Sequence, residues 1–228
     1  VKWRFSEWLR GEPAAAPVVF EPATPRASLT AELSREIRAS FNEASYDEEH
    51  FPSTIDPRIQ HVQVLLKFFG DLTDKRVLDV GCGKGRFARV LSESNPRVAV
   101  SGLDISEAML TCVPEGVEKV SALMTDLPFA ASTFDFVYAT ESLEHAVEIE
   151  RAVAEMCRVL KPGGRLVIID KNAEHWGRFK TPAWERWFER RELEKLLERD
   201  CRKVHSEFIS YWEDVAPDGL FLAWFAVK

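Results

Sequence analysis

The first chemical signal is a glycine-rich loop, Asp79-Val80-Gly81-Cys82-Gly83-Lys84-Gly85. Glycine lets a chain turn sharply and lets a ligand approach backbone that a Cβ would shield. Alone, such a loop is equally well a tight strand-to-helix turn. Its spacing says more. The dinucleotide fingerprint G-x-G-x-x-G sets a pyrophosphate on a helix N-terminus. Here the spacing is G-x-G-x-G, with an acidic residue two positions ahead. That disfavours a nicotinamide dinucleotide. Two acidic residues follow. Asp104, in Gly102-Leu103-Asp104-Ile105-Ser106, ends an apolar run, where its carboxylate can accept both hydroxyls of a ribose. Asp126, in Thr125-Asp126-Leu127-Pro128-Phe129, can accept an adenine amino group, with Leu127 beside the ring. Singly, Asp104 reads as a strand-end cap and Asp126 as a turn residue before Pro128. Together they mark three successive strand ends, where open α/β sheets bind ligands.

A second reactive group lies in Thr140-Glu141-Ser142-Leu143-Glu144-His145, which puts two carboxylates and an imidazole at the end of a fourth apolar run. An imidazole there can take a proton from an acceptor hydroxyl. Two adjacent carboxylates raise each other's pKa unless a cation relieves them. Three readings stay open: His145 as a metal-free base, a cation site, or neither. In the last, Glu144 simply favours the start of the next helix. The segment Lys171-Asn172-Ala173-Glu174-His175-Trp176-Gly177-Arg178 mixes charge with an indole and is expected to line an acceptor pocket. Trp184 and Trp187, with Phe188 beside them, read as helix positions three apart, where packing outweighs a substrate cage. His50 and His61 lack sequence partners and read as surface or packing residues.

These groups need elements to hold them. Leu33, Ile37 and Phe41 recur at four-residue steps, predicting a helix from about Thr30 to Tyr46. A second follows Pro57 and ends at Gly70. Buried strands are expected at 75–80, 98–104, 117–124, 134–139 and 165–170. Helices are expected from Phe87, after a Ser106 cap, and over 146–160 and 185–199. Two last strands, 204–212 and 220–227, lie too close for a helical crossover, so they should pair antiparallel. Alternating strands and helices predict a Rossmann-like α/β fold with helices on both faces of a mostly parallel sheet.

The chain has 228 residues, 46% of them hydrophobic, enough for one α/β domain with an extension. Its net charge of -7 argues against general nucleic-acid binding, which needs a basic surface. Cys82, Cys112, Cys157 and Cys201 form no C-x-x-C pair, so they are expected to be reduced core thiols. No apolar run suits a membrane span and no signal peptide is visible, so a cytoplasmic location is expected. Residues 1–28 are expected to hold a short amphipathic element and a Pro/Ala-rich linker, 29–70 a helical cap, and 71–228 the core. The Val1 start and the linker fit a domain cut from a larger synthase.

Val77 to Gly85, Gly102 to Ser106, Thr125 to Phe129, Phe134-Asp135 and Leu160-Lys161-Pro162-Gly163-Gly164-Arg165-Leu166 resemble the successive motifs of class I S-adenosylmethionine methyltransferases. The resemblance covers about residues 75 to 170. It implies a seven-stranded sheet with a reversed last strand and a cap formed by the N-terminal helices. It implies that Asp79, Gly81, Cys82, Gly83 and Gly85 hold the methionine part of S-adenosylmethionine. Asp104 would then hold the ribose, and Asp126 and Leu127 would flank the adenine. Ile105, Ser106, Met109 and Thr140 complete the expected cofactor contacts. Tyr46 reads equally as a cavity residue or as packing.

Glu141 to His145 also resembles the E-x-x-E-H segment of ubiquinone-pathway O-methyltransferases and of small-RNA 2′-O-methyltransferases. That likeness implies a divalent site, Mg²⁺ by its oxygen donors, from Glu141, Glu144 and His145. The second group adds a later histidine, for which His175 is better placed than His205. His145, Glu141 and His175 are thus the expected catalytic groups. The expected activity is O-methylation of a small hydroxylated acceptor, a quinone precursor or natural-product intermediate. N- or C-methylation and a non-catalytic cofactor-binding scaffold are the alternatives, and RNA is a weaker acceptor on charge.

Overall fold

The computed structural model describes residues 28–212 and 214–228. The expected N-terminal amphipathic element and nearly all of the linker lie outside that range. The elements run α1 (Ala31–Ala44), α2 (Gln60–Phe69), β1 (Arg76–Val80), α3 (Arg86–Ser94), β2 (Ala99–Asp104), α4 (Glu107–Cys112) and β3 (Glu118–Ser121). After these come β4 (Phe134–Thr140), α5 (Ile149–Val159), β5 (Leu160–Lys171), α6 (Arg190–Leu197), β6 (Arg202–Ile209) and β7 (Phe221–Val227).

The seven strands form one sheet in the order β3-β2-β1-β4-β5-β7-β6. Strands β1 to β5 pair in parallel. Strand β7 runs antiparallel to both β5 and β6, as the short β6–β7 link requires. The order reverses between β1 and β4, which opens a crevice at their carboxyl ends.

The inner strands are buried on both faces because their side chains alternate between two cores. Val77, Phe136, Val167 and Phe225 pack with α2 and α3 on one face. Leu78, Val137, Ile168 and Trp224 pack with α5 and α6 on the other. Helix α1 starts at a Thr30 cap, whose hydroxyl accepts from Leu33 N at 3.1 Å. Only Ile37 of this helix is buried. The expected cap therefore divides: α1 lies over the crevice, while α2 belongs to the core. No helix among the described residues is long and apolar enough to cross a membrane.

Several boundaries differ from the sequence reading. Strand β3 stops at Ser121, and the chain then turns along the crevice. A 3-10 turn, Leu143–His145, precedes α5, which starts only at Ile149. Lys161 to Gly164 continue into β5 rather than forming a separate turn. Helix α6 starts at Arg190, so Trp184 and Trp187 are not helical. Pro182 precedes them, and Arg186 N donates to Glu144 O, which holds this segment extended against the 3-10 turn.

Candidate functional site

A cavity of about 560 Å³ fills the crevice. Gly81 to Lys84 form its floor, Asp104, Ile105 and Met109 one side, and Ala122 to Thr125 the far end. Ile37 and Phe41 of α1 face it from above, with Phe51 from the following loop. Gly81, Gly83 and Gly85 all have positive φ, the region glycine enters without strain. At Gly81 the need is also steric, because a Cβ would meet Ser142 Cβ at 2.5 Å.

Asp104 lies at the end of β2 and lines the cavity. Its Oδ2 accepts from Gly83 N and its Oδ1 from Ser106 N, each at 2.8 Å. Burial raises its pKa and these backbone bonds oppose the rise. Its carboxylate ties the glycine loop to the start of α4 and keeps lone pairs for a ligand.

Other expected contacts fall differently. Gly81, Cys82, Gly83, Ile105, Met109 and Thr140 line the cavity. Gly85 is the N-cap of α3 instead. Ser106 is wholly buried; its hydroxyl caps α4 and donates to Asn42 Oδ1 at 2.7 Å. Asp79 is buried near the Tyr138 hydroxyl rather than in the cavity wall, and burial pushes its pKa up to about 7. Asp126 is exposed and borders an adjoining groove together with Leu123 and Thr125, two residues of the cavity wall. Leu127 is core, with its N–H bonded to Glu155 Oε2 at 2.8 Å. The wall that Asp126 and Leu127 were expected to form is made by Ala122 to Thr125, because β3 ends earlier than its apolar run suggested.

The acceptor half of the cavity holds Glu141, Glu144, His145, Lys171, Trp184 and Glu185. Glu141 has a φ of 51°, in the left-handed region, and its carboxylate meets Arg86 Nη2 at 3.0 Å. Burial would raise its pKa, but Arg86, His61 and Lys171 hold it below the usual range. His61 Nε2 lies 3.9 Å from the same Glu141 oxygen. The imidazole of His61 is wholly buried between Tyr211 and Phe221, as a packing residue would be. His50 is exposed, as a surface residue would be, and bonded to Asp47 at 2.7 Å.

Glu144 is 2% exposed and meets Lys171 Nζ at 2.5 Å. Its backbone N–H donates to Asp170 Oδ2. Burial, and then the neighbouring Glu144, push the pKa of the Asp170 carboxyl well up. Burial opposes the charge on Lys171, yet Glu144 and Asp170 hold its pKa above the ordinary lysine value. His145 packs edge-on against Phe41, with ring centroids 5.0 Å apart. Its Nε2 is 3.5 Å from Glu144 Oε1, and its Nδ1 is buried without a partner. Burial lowers its pKa to about 4, so the ring is neutral near pH 7.

The four groups expected to share a cation are not brought together. Glu141 turns to Arg86. His175 sits in a 3-10 turn beside Gly219 and Asp218, outside the cavity wall. His205 stacks on Phe225 in β6. Tyr46 is 90% exposed and lines nothing. Ligand atoms of Glu144, His145 and Glu185 do come within 4.8 Å of one another. Lys171, in the segment expected to line the pocket, does line the cavity. Arg86 and Glu185 were missed in the sequence; Arg86 directly follows the last loop glycine, so its position was the available signal.

Residues 78–168 match the family described as Methyltransferase domain. The chain is 32% identical to Methyltransferase GfsG of Streptomyces halstedii, over 65% of this chain and 62% of that protein. It is 30% identical to a demethylmenaquinone methyltransferase of Tropheryma whipplei, over 77% of this chain and 73% of the relative. In structure it resembles an S-adenosylmethionine-dependent methyltransferase from Aquifex aeolicus, with a TM-score of 0.60 at 22% identity, over 83% of this chain and 97% of that one. The chain thus spans about three fifths of one curated relative and three quarters of another. A glycine-floored cavity at the strand-order reversal, with Asp104 in its wall and a last strand running antiparallel in the sheet, agrees with these relatives: the chain belongs to the class I S-adenosylmethionine-dependent methyltransferases.

Proposed function

We propose that the protein methylates a hydroxyl oxygen on a neutral small-molecule acceptor, with His145 taking the hydroxyl proton. The observation that carries this reading is His145 itself: neutral, in the cavity wall, with an unpartnered Nδ1. S-adenosylmethionine, when bound, supplies an electrophilic methyl group. Gly81 to Gly83, Asp104 and the 122–125 wall would hold it: the floor has no Cβ in the way, and Asp104 offers acceptor capacity for ribose hydroxyls.

Glu144 lies 3.5 Å from His145 Nε2 and Glu185 3.9 Å from Nδ1. A neutral ring carries its proton on one nitrogen and keeps a lone pair on the other for the acceptor's proton. Phe41, Phe51 and Phe179 shield this end from water and give the acceptor an apolar seat. Arg86 and Lys171 are each paired with a carboxylate, which favours a neutral acceptor over an anionic one. The demethylmenaquinone relative adds support for a quinone-like acceptor ring, and the alternative of transfer to a ring carbon draws on the same relative.

A second reading places a divalent cation such as Mg²⁺ among Glu144, His145 and Glu185, whose ligand atoms are close enough. Lys171 already neutralises Glu144, which weighs against it. The test is turnover of hydroxylated, amino and carboxylate acceptors with labelled cofactor. His145→Gln should lose turnover by roughly 100-fold or more while keeping S-adenosylhomocysteine affinity. With a folded pKa of about 4, His145 becomes protonated only as pH falls through that value, so its contribution should be constant from pH 5.5 to 8. Transfer to amines alone would refute the reading. Loss of turnover on chelation, restored by Mg²⁺, would favour the cation.

A further inference from the structure

The cysteines are too widely spaced in sequence for a C-x-x-C pair, yet the fold brings two of them together. Cys157 lies near the end of α5, and Cys201 lies in the turn between α6 and β6. Their sulfurs meet at 3.5 Å although the residues are 44 positions apart. Both are buried, at 1% and 5% exposure. Both are also held in place. Lys228 Nζ donates to Cys157 O at 2.7 Å and to Leu160 O at 2.8 Å, which fixes the end of α5. Cys201 N donates to Leu197 O at 2.8 Å. The other two cysteines stand elsewhere: Cys82 lines the cavity, and Cys112 is exposed at the end of α4.

Two thiols in contact can react as a unit. The contact with Cys157 lowers the pKa of the Cys201 thiol, and burial opposes this. The same contact, together with burial, raises that of Cys157. The thiolate is the reactive form, so Cys201 is the sulfur that an oxidant attacks first. Access comes from the sheet edge: β6 pairs with β7 alone, and local opening at an edge admits a small molecule. A peroxide converts a thiolate to a sulfenic acid, which condenses with a neighbouring thiol. The atoms balance. Cys201 takes one peroxide oxygen, and the other leaves as water. Cys157 then displaces that oxygen as a second water. Both thiol hydrogens leave in the two waters, and the two electrons lost by the sulfurs reduce the peroxide.

We propose that Cys157 and Cys201 are a reversible modification site, at which a peroxide links them by a disulfide that staples α5 to the turn after α6. The sulfurs need only close by about 1.5 Å to reach bonding distance. The loop so closed contains β5 with Lys171, and the segment that carries Glu185. Both residues line the acceptor half of the cavity, and no α-helix or strand braces the chain between Lys171 and Arg190. A cross-link limits the unfolded excursions of the loop it closes, and does so more for a long loop. Oxidation therefore fastens the acceptor wall against unfolding.

The test treats the folded full chain with hydrogen peroxide and maps its peptides, unreduced, by mass spectrometry. The peptides carrying Cys157 and Cys201 should appear joined, lighter than their sum by about 2 Da for the two hydrogens lost. The urea midpoint should rise by about 1 M, and dithiothreitol should return it to its starting value. Methionine sulfoxide does not respond to dithiothreitol, so the return separates the disulfide from that lesion. Cys201→Ser should show neither the link nor the rise. The proposal is overturned if peroxide leaves both thiols free, if the link joins other cysteines, or if either sulfur ends unlinked as a sulfinic acid. It is equally overturned if the linked protein has an unchanged or lower midpoint, if dithiothreitol does not return it, or if Cys201→Ser shows the same rise. Should that variant not fold, the wild-type map and the dithiothreitol reversal decide alone.

Discussion

Replacing Lys171 by methionine should expose how the acceptor wall stores charge. Lys171 and Glu144 form a buried pair at 2.5 Å, with side chains 9% and 2% exposed. Burial and the neighbouring Glu144 hold the adjoining Asp170 carboxyl well above the usual range. Without the ammonium, Glu144 is left as a buried charge with no compensating partner, and removing one member of a buried pair typically costs about 3–5 kcal/mol. The double variant Lys171→Met/Glu144→Gln removes both charges and should recover most of that loss, because the unpaired charge is the costly element. Urea unfolding at pH 7 measures each penalty. A Lys171→Met cost below about 1 kcal/mol, or a double variant as unstable as Lys171→Met alone, would refute this account.

Two further predictions concern the cofactor floor. Asp104→Ala should weaken S-adenosylhomocysteine binding by about tenfold or more in calorimetry, since a carboxylate's hydrogen bonds contribute about 1.5–3 kcal/mol each. Asp104→Asn should lose less if the bonds from Gly83 and Ser106 matter alongside the ligand. Gly81→Ala should destabilise by about 2 kcal/mol or more, because alanine pays for the left-handed backbone and its Cβ would strike Ser142. Urea unfolding measures the first loss, and loss of S-adenosylhomocysteine binding should accompany it.

The order of strands and helices, the glycine loop and the β2 carboxylate were legible in the sequence, because each rests on a local pattern. Alternating apolar runs fix the strands, glycine spacing fixes the loop, and Asp104 follows its strand directly. The Ser106 cap is equally local. What the sequence misjudged were directions that only packing sets. Asp126 lies next to the cofactor wall in sequence, yet β3 ends at Ser121 and the turn at 122–125 takes that place. Glu141 and Glu144 are three residues apart, but a left-handed residue and a 3-10 turn send one to Arg86 and the other to Lys171. His175 follows β5 and still faces Gly219, because its own 3-10 turn carries it away from the mouth. Glu185 reaches His145 from forty residues further along, across a segment that turns at Pro182 and that no helical period could reveal. The cofactor half of the site is built from single strand ends and so is written locally; the acceptor half is assembled from β4, β5 and the following segment, and its partners are chosen by burial and charge pairing in three dimensions.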